Sequence, residues 1–474
     1  MIPLYDTGSF YDEMIDPMGG IRHSYRALME YLSSISSKQL QDRHHFVEKS
    51  LLSLGITFNV YSDDEGTERI FPLDIIPRII GALEWAEIER GLKQRITALN
   101  LFLDDVYHNQ NILNDKVIPK EIVLSSKGYL EPCQGIHPPE NIWCHITGTD
   151  LIRDRDGKYY VLEDNLRCPS GVAYMLENRE IMKRAFSTFM GKQNIRPVSD
   201  YPNHLHKLMH YVAANDKVTA AVLTPGMYNS AYFEHSLLAR QMGVELVQSS
   251  DLVVKDGVVQ MRTTKGLKKV DVLYRRIDDV FLDPKVFNAD SLLGVPGLFD
   301  VYRNGKIGLV NAPGTGVADD KVVYSFVPDM IRYYLKQEPI LPNIETYLCS
   351  NNSQCRYVLE HLDELVVKCA NEAGGYGMLI GPHSTQDERD DFKQRILANP
   401  RNYIAQPTIT FSRAPSFVDD HLEGRHIDLR PYILYGKNIE VIPGGLTRVA
   451  LKKGSLVVNS SQGGGSKDTW VLGA

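Results

Sequence analysis

The chain has 474 residues, 43% of them apolar and 23% charged, and its 52 Lys and Arg against 59 Asp and Glu leave a formal net charge of −7. That length predicts two or three packed units, and the composition excludes a disordered, collagen-like or coiled-coil chain. The acidic balance gives no support for a nucleic-acid partner, and no run approaches the roughly 20 apolar residues of a membrane helix.

The opening MIPLYDTGSFYDEM has neither the basic start nor the apolar stretch of a secretory signal, so a cytoplasmic protein is expected. Apolar residues recur at three-to-four spacing across 26–54 and again across 79–107, through Leu83, Ile88, Leu92, Ile96 and Leu101. This predicts a helical layer. The string YDEMIDPMGGIRHSY at 11–25 reads as a loop. From residue 121 the texture changes to short apolar runs with turn signals. Asp156-Gly157, between IWCHITGTDLI and KYYVLEDN, predicts a hairpin, and Asp256-Gly257 marks a second. Residues 192–203 read as a linker. Beyond it VTAAVLTP, a helical stretch ending near Met242, ELVQSSDL and VDVLYRR alternate as strand, helix, strand, which predicts an α/β unit with a parallel sheet. The helix entry after TPGMYNS is a candidate place for an anionic group. Six cysteines (Cys133, Cys144, Cys168, Cys349, Cys355 and Cys369) show no metal-ligand spacing and are expected to be reduced and mostly buried.

The first hairpin carries chemistry. If Asp156-Gly157 forms a two-residue type I′ turn, Arg155 pairs with Lys158 and Asp150 falls directly across from Glu163. Facing carboxylates repel unless something positive lies between them. Asn165 shares the face of Glu163, opposite Gly148, whose missing side chain leaves room above the sheet. Two carboxylates and an amide oxygen form a hard, all-oxygen set suited to Mg²⁺ that takes its other ligands from water and phosphate. The plain alternative is a solvated polar hairpin face.

A second constellation is DELVVKCANEAGGYGMLIGP at 363–382. Lys368 sits inside an otherwise apolar strand, where an unpaired ammonium is unfavourable. Gly374, Gly375 and Gly377 permit a loop whose backbone N–H groups approach phosphate closely. The lysine precedes the glycines and the G-x-x-x-x-G-K-[ST] spacing is absent, so this is not a Walker A loop. In RNYIAQPTIT, 401–410, a strand stops at Pro407; its free backbone groups suit an adenine edge, or simply an edge strand. Arg430 and Arg448 fall in apolar strands, where arginine is usually partnered and phosphate is one good partner. Lys321, in GVADDKVVYSF, is a further candidate cation, with a surface salt bridge as the alternative.

Taken together these residues resemble the ATP-grasp superfamily, in the circularly permuted branch (type 2) that includes glutathionylspermidine synthase-like proteins. In ordinary ATP-grasp enzymes the lysines and Gly-rich loop precede the metal-binding residues, whereas here Asp150, Glu163 and Asn165 come first. The resemblance implies an α/β fold with a permuted ATP-grasp core: an N-terminal helical layer at 1–120, a metal-binding part at 121–195, a Rossmann-like unit at 217–310 and a nucleotide-binding part with the Gly-rich loop at 311–474. It implies Mg²⁺ on Asp150, Glu163 and Asn165, and ATP phosphates on Lys321 and Lys368 beneath a flexible cover of Gly374, Gly375, Tyr376 and Gly377. Adenine would follow the strand at Gln406 and Ile409. Arg448 is implied as a phosphate contact and, with Arg167, as a catalytic candidate. Where the synthases read E-x-N-x-D-T-P, this chain reads E-D-N-L-R-C-P, so Arg167 reverses an acidic position; the arginine they carry two residues before the metal Asp is Gly148. A cationic polyamine substrate is thereby disfavoured, and Arg167 would sooner meet a carboxylate or phosphate. The implied activity is ATP- and Mg²⁺-dependent ligation of a carboxylate and an amine through an acyl phosphate, on small-molecule or peptide substrates. The alternatives are a non-catalytic ATP-binding scaffold and an ATP-dependent phosphotransferase.

Overall fold

The computed structural model describes residues 5–59, 68–213, 217–371, 377–452, 455, 458 and 464–474. Residues 26–54 form two helices, Arg26–Ser34 and Ser37–Ser53. Ser36 starts the second with a capping box: its hydroxyl accepts the Gln39 N–H, and the Gln39 side chain accepts the Ser36 N–H. The long helix Ala82–Tyr107 buries Trp85, Ile88, Leu92, Ile96, Leu99, Leu103 and Val106 in one continuous stripe. Leu83 and Leu101, counted into the apolar pattern from sequence, lie off that stripe and are 90% and 41% exposed.

The N-terminal layer is not purely helical. Its strand Leu73–Ile80 pairs in parallel with Gly465–Val471 from the far end of the chain, which is antiparallel to Thr447–Val449. Every residue of Gly465–Val471 is buried, so its charges are satisfied internally. Lys467 Nζ donates to Asp74 and to the carbonyls of Ile76 and Pro415, and Asp468 accepts from Arg179.

The predicted parallel sheet is present, in the order Gly308–Val310, Val272–Arg275, Ala220–Leu223, Glu245–Val247. The helices Tyr201–Ala213 and Tyr232–Met242 pack against it. Both central strands are wholly buried, as continuous apolar runs in a parallel sheet should be. A second, antiparallel sheet runs Tyr159–Asn165, Ile146–Arg153, Tyr432–Tyr435, Ile439–Val441. A third runs Tyr347–Leu348, Tyr403–Pro407, Leu365–Cys369, Leu379–Ile380 and is also antiparallel. The six cysteines are free thiols, four of them buried. Among the described residues no helix is long and apolar enough to cross a membrane.

The two Asp-Gly hairpins differ. Around Asp256-Gly257 the pair Lys255 and Val258 flanks a two-residue turn in which both central residues have positive φ, 54° and 71°, as type I′ requires. At Asp156-Gly157 only Gly157 is left-handed, φ 78°. Asp154 N–H donates to the Lys158 carbonyl, Gly157 N–H to the Asp154 carbonyl, and Arg153 pairs with Tyr159, so the loop holds three residues and not the expected two. The Asp156 carboxylate accepts the Lys158 N–H, which fixes the residue in a local Asx turn instead of the left-handed region. A β-bulge then inserts Leu162 between Leu151↔Val161 and Asp150↔Glu163. The extra residue cancels the longer loop, and the two carboxylates end up opposed, with Gly148 opposite Asn165.

Asn311, just past Gly308–Val310, joins the parallel sheet to this hairpin. Its Oδ1 accepts the N–H groups of His145 and Ile146, both at 2.7 Å, and its Nδ2 donates to the carbonyls of Ile146 and Leu166 at 2.6 and 2.8 Å.

Candidate active site

The positive charge that facing carboxylates demand comes from arginine. Asp150 is fully buried, and both its oxygens are taken: Arg430 Nε and Nη2 donate to Oδ1 and Oδ2 at 2.5 and 2.7 Å, and Arg448 Nη2 donates to Oδ2 at 2.7 Å. Arg448 is fixed in turn by Asp428. Burial alone would raise the Asp150 carboxyl, but the two guanidiniums override it and hold the group well below the ordinary carboxylate range. Arg448, predicted as a phosphate contact, thus faces two carboxylates of its own chain.

Glu163 is more open, with its side chain 25% exposed. Its oxygens stand 3.7 Å from Lys321 Nζ on one side and 3.7 Å from Arg430 Nη2 on the other. Asn165 Nδ2 donates to the Gly148 carbonyl at 3.2 Å, which leaves its amide oxygen for another partner. As a test of fit to Mg²⁺, the donor chemistry of Glu163 and Asn165 is suitable: hard oxygens at a cleft, with room for water and phosphate to complete an octahedron. Asp150 is more committed, since three of its roughly four lone-pair positions already accept guanidinium N–H groups. Among the described residues no group of three His, Cys, Asp or Glu forms a complete cation cage.

Lys368 lies on Leu365–Cys369, half-buried, and donates to Gln406 Oε1 at 2.7 Å from the neighbouring strand Tyr403–Pro407. Burial lowers its pKa to about 8; the nearby Glu163 and Asp150 oppose that shift and Lys321 adds to it, so all four charges share one site. Gln406 Nε2 donates to Thr346, while Ile409 follows the strand and is half-buried. Of the predicted Gly-rich cover, Gly377 is left-handed, φ 64°, whereas Gly374, Gly375 and Tyr376 lie outside the described residues.

Glu163, Asn165 and Lys321 line a cleft of about 260 Å³ together with Arg167, Asp278 and Asp319. Arg167 Nε donates to Asp319 at 2.7 Å and Nη1 to Asp278 at 2.9 Å. Gly316 makes room for it, because a Cβ there would come within 2.8 Å of Arg167 Cδ. Burial pushes Asp319 up to about 6 against the pull of Arg167. The charge reversal at Arg167 is therefore balanced by acids of the same wall, Asp278 and Asp319, which the sequence reading did not single out. The only signal for Asp319 was its place two residues before Lys321. The helix entry at Tyr232–Met242 carries a buried Glu234 in its first turn, bonded to the N–H groups of Gly171 and Ala173 and to Arg276.

An acidic hairpin on one antiparallel sheet that lines a cleft, with a lysine strand on another sheet close to its carboxylates, beside a parallel α/β layer, defines a protein of the ATP-grasp class. More narrowly, the chain belongs to the family described as Circularly permuted ATP-grasp type 2, which residues 77–450 match. An uncharacterised protein of Synechocystis sp. is 59% identical over 471 residues, covering 99% of this chain and 98% of its own length. A Frankia casuarinae protein, provisionally named glutamate–cysteine ligase 2-2, is 41% identical over 465 residues; these span 97% of this chain but 53% of that protein. Among solved structures, a glutathione synthetase-like effector (GSS30) from Globodera pallida, in its apo form, superposes with a TM-score of 0.61 at 11% identity, covering 92% of this chain and 98% of its own. At that identity the likeness speaks to the fold.

Proposed function

We propose that the protein is an ATP- and Mg²⁺-dependent carboxylate–amine ligase. The observation that carries this reading is the meeting of Glu163 with Lys321 and Arg430, each at 3.7 Å, beside the strand lysine Lys368. Phosphoryl transfer asks a protein mainly for positioning and charge neutralisation, so no nucleophilic side chain is needed. Lys321 and Lys368 would take ATP phosphates, Gln406 orients Lys368, and adenine would lie along Tyr403–Pro407 toward Ile409, under Gly374, Gly375, Tyr376 and Gly377. Mg²⁺, held by Glu163, Asn165 and the remaining lone pair of Asp150, would supply neutralisation of the phosphate charge. Arg448 would act by holding Asp150 in place. In the reaction, a substrate carboxylate oxygen attacks the γ-phosphorus, the bond to the β–γ bridging oxygen breaks and ADP leaves. An amine nitrogen then attacks the acyl carbon, and the departing phosphate takes the nitrogen's proton. An N-terminal layer at 1–120, a hairpin part at 121–195, an α/β unit at 217–310 and a nucleotide part at 311–474 are the proposed divisions.

The Frankia name supports the ligase class. It attaches to a protein nearly twice as long, so it does not carry glutamate or cysteine over to this chain. One observation favours a second reading, a nucleotide-binding scaffold without turnover: Asp150 already has two arginine partners. Incubation with Mg·ATP and a broad panel of carboxylates and amines separates the two. ADP release with a product heavier by condensation supports the ligase; protection by Mg·ATP against heat with no turnover supports the scaffold.

A further inference from the structure

In an open α/β sheet, ligands bind beyond the carboxyl ends of the strands, where the strand order reverses. Here that reversal lies between Ala220–Leu223 and Val272–Arg275. The loops at these ends carry large apolar side chains that stand in solvent: Met227 (66%), Tyr228 (88%), Val280, Phe281, Leu292 (90%) and Leu293. They form one surface. Gly226 lies against the Gln248 side chain, with a would-be Cβ at 3.1 Å; Ser249 Oγ donates to the Leu292 carbonyl; Ser291 Oγ donates to the Phe281 carbonyl. The three loops are thus tied side by side. Val280 and Phe281 also line the cleft that holds Glu163, Arg167 and Lys321, so one end of the surface continues into the candidate site.

Scattered exposed apolar residues need no explanation, but a connected set beside a polar cleft marks a binding face. From this continuity we infer that the surface holds the body of the substrate, a peptide with apolar side chains, whose reacting end enters the cleft. Six large side chains, two on the connection after Ala220–Leu223 and four on the one after Val272–Arg275, exceed what a single amino acid covers. The inference rests on the ligase reading for the identity of the cleft.

The test uses the full chain with Mg·ATP and two fluorescein-labelled probes, Ala-Leu-Phe-Leu-Ala and Gly-Ser-Gly-Ser-Gly, read by fluorescence anisotropy, alongside thermal protection by Mg·ATP. The expected result is a preference of about tenfold or more for the apolar probe. The double variant Tyr228→Ser with Leu292→Ser should reduce that affinity about tenfold, as removal of two large apolar side chains from contact predicts, with Mg·ATP protection unchanged. Both positions are nearly fully exposed, so folding is not at stake. Intact Mg·ATP protection with equal binding of the two probes overturns this proposal alone. So does a double variant that binds the apolar probe as the parent does but sediments as a smaller species, since the surface is then an interface between copies. Absence of Mg·ATP protection in the parent overturns the nucleotide reading itself and this inference with it.

Discussion

Arg430 lies across Gly148: a methyl group at position 148 would sit 3.3 Å from both Cγ and Cδ of that arginine and 3.4 Å from Pro169 Cβ. The resemblance to glutathionylspermidine synthases leads one to expect an arginine at position 148, where this chain has glycine. In this chain the cation over the same strand comes from Arg430 instead. Its guanidinium is fixed on Asp150 by two short hydrogen bonds and cannot swing aside freely. Gly148→Ala should therefore displace Arg430 by a few tenths of an ångström, with a loss of stability of about 1–3 kcal/mol, the usual range for overpacking. Denaturant unfolding and Mg·ATP affinity, expected to fall several-fold, check this. A variant equal to the parent in both would show that the contact has no weight.

How much of this was legible in the sequence depends on how local each feature is. The parallel sheet was readable because AAVL and VLYR are apolar runs that need only their own residues to declare burial. The opposition of Asp150 and Glu163 was also reached, through two one-residue errors that cancel. The turn holds three residues instead of two, and Leu162 bulges to compensate. The bulge is set from far away: Val161 N–H donates to the Pro342 carbonyl and the Val161 carbonyl accepts from Ile344. Nothing near 161 announces that. The arginine partners of Asp150 lie 280 and 298 residues along the chain, beyond any pattern argument, so a need for positive charge was legible and these two arginines as part of its source were not. Asn311 is a similar case, since five backbone groups depend on one amide with no motif around it.

These partners decide which carboxylate should be mutated. Asp150→Asn removes the ion-pair partner that holds Arg430 and one of the two carboxylates that face Arg448, and breaking such a buried pair typically costs about 3–5 kcal/mol. The variant should unfold at markedly lower denaturant whether or not a cation binds there. Glu163→Gln, at a partly open position, should leave stability within about 1 kcal/mol and abolish most of the Mg²⁺-dependent part of nucleotide protection. Melting curves with ATP, with and without Mg²⁺, report both. Undiminished Mg²⁺ dependence in Glu163→Gln would remove the metal assignment.

Lys368 tests the phosphate assignment separately. Lys368→Ala leaves the buried Gln406 Oε1 without that donor and removes a charge that Glu163 and Asp150 attract, so the protein should lose about 1–3 kcal/mol of stability and remain folded. A hydrogen bond to a charged group contributes about 1.5–3 kcal/mol, which translates to roughly 10- to 100-fold weaker ATP binding. Titration calorimetry of ATP against the two proteins is the measurement, and equal affinities would place the phosphates elsewhere.

The last prediction concerns acid. His145 is fully buried at the start of the hairpin sheet, and neither ring nitrogen has a hydrogen-bond partner among the described residues. Burial, with Arg275's charge adding to it, pushes its pKa down to about 3. An unfolded histidine titrates near 6.5, so between about pH 6.5 and 3 the unfolded chain binds more protons than the native one. Stability must then fall as pH drops through this window, by about 1.4 kcal/mol per pH unit once the unfolded histidine is fully charged. His145→Met fills similar space with a pliable apolar chain and removes the protonation site. Urea unfolding at pH 7.5 and pH 5.0 should show the parent losing about 2 kcal/mol more than the variant between the two conditions, as that slope implies. Equal losses would mean that His145 is charged in the native protein, with Arg275 turned away from it.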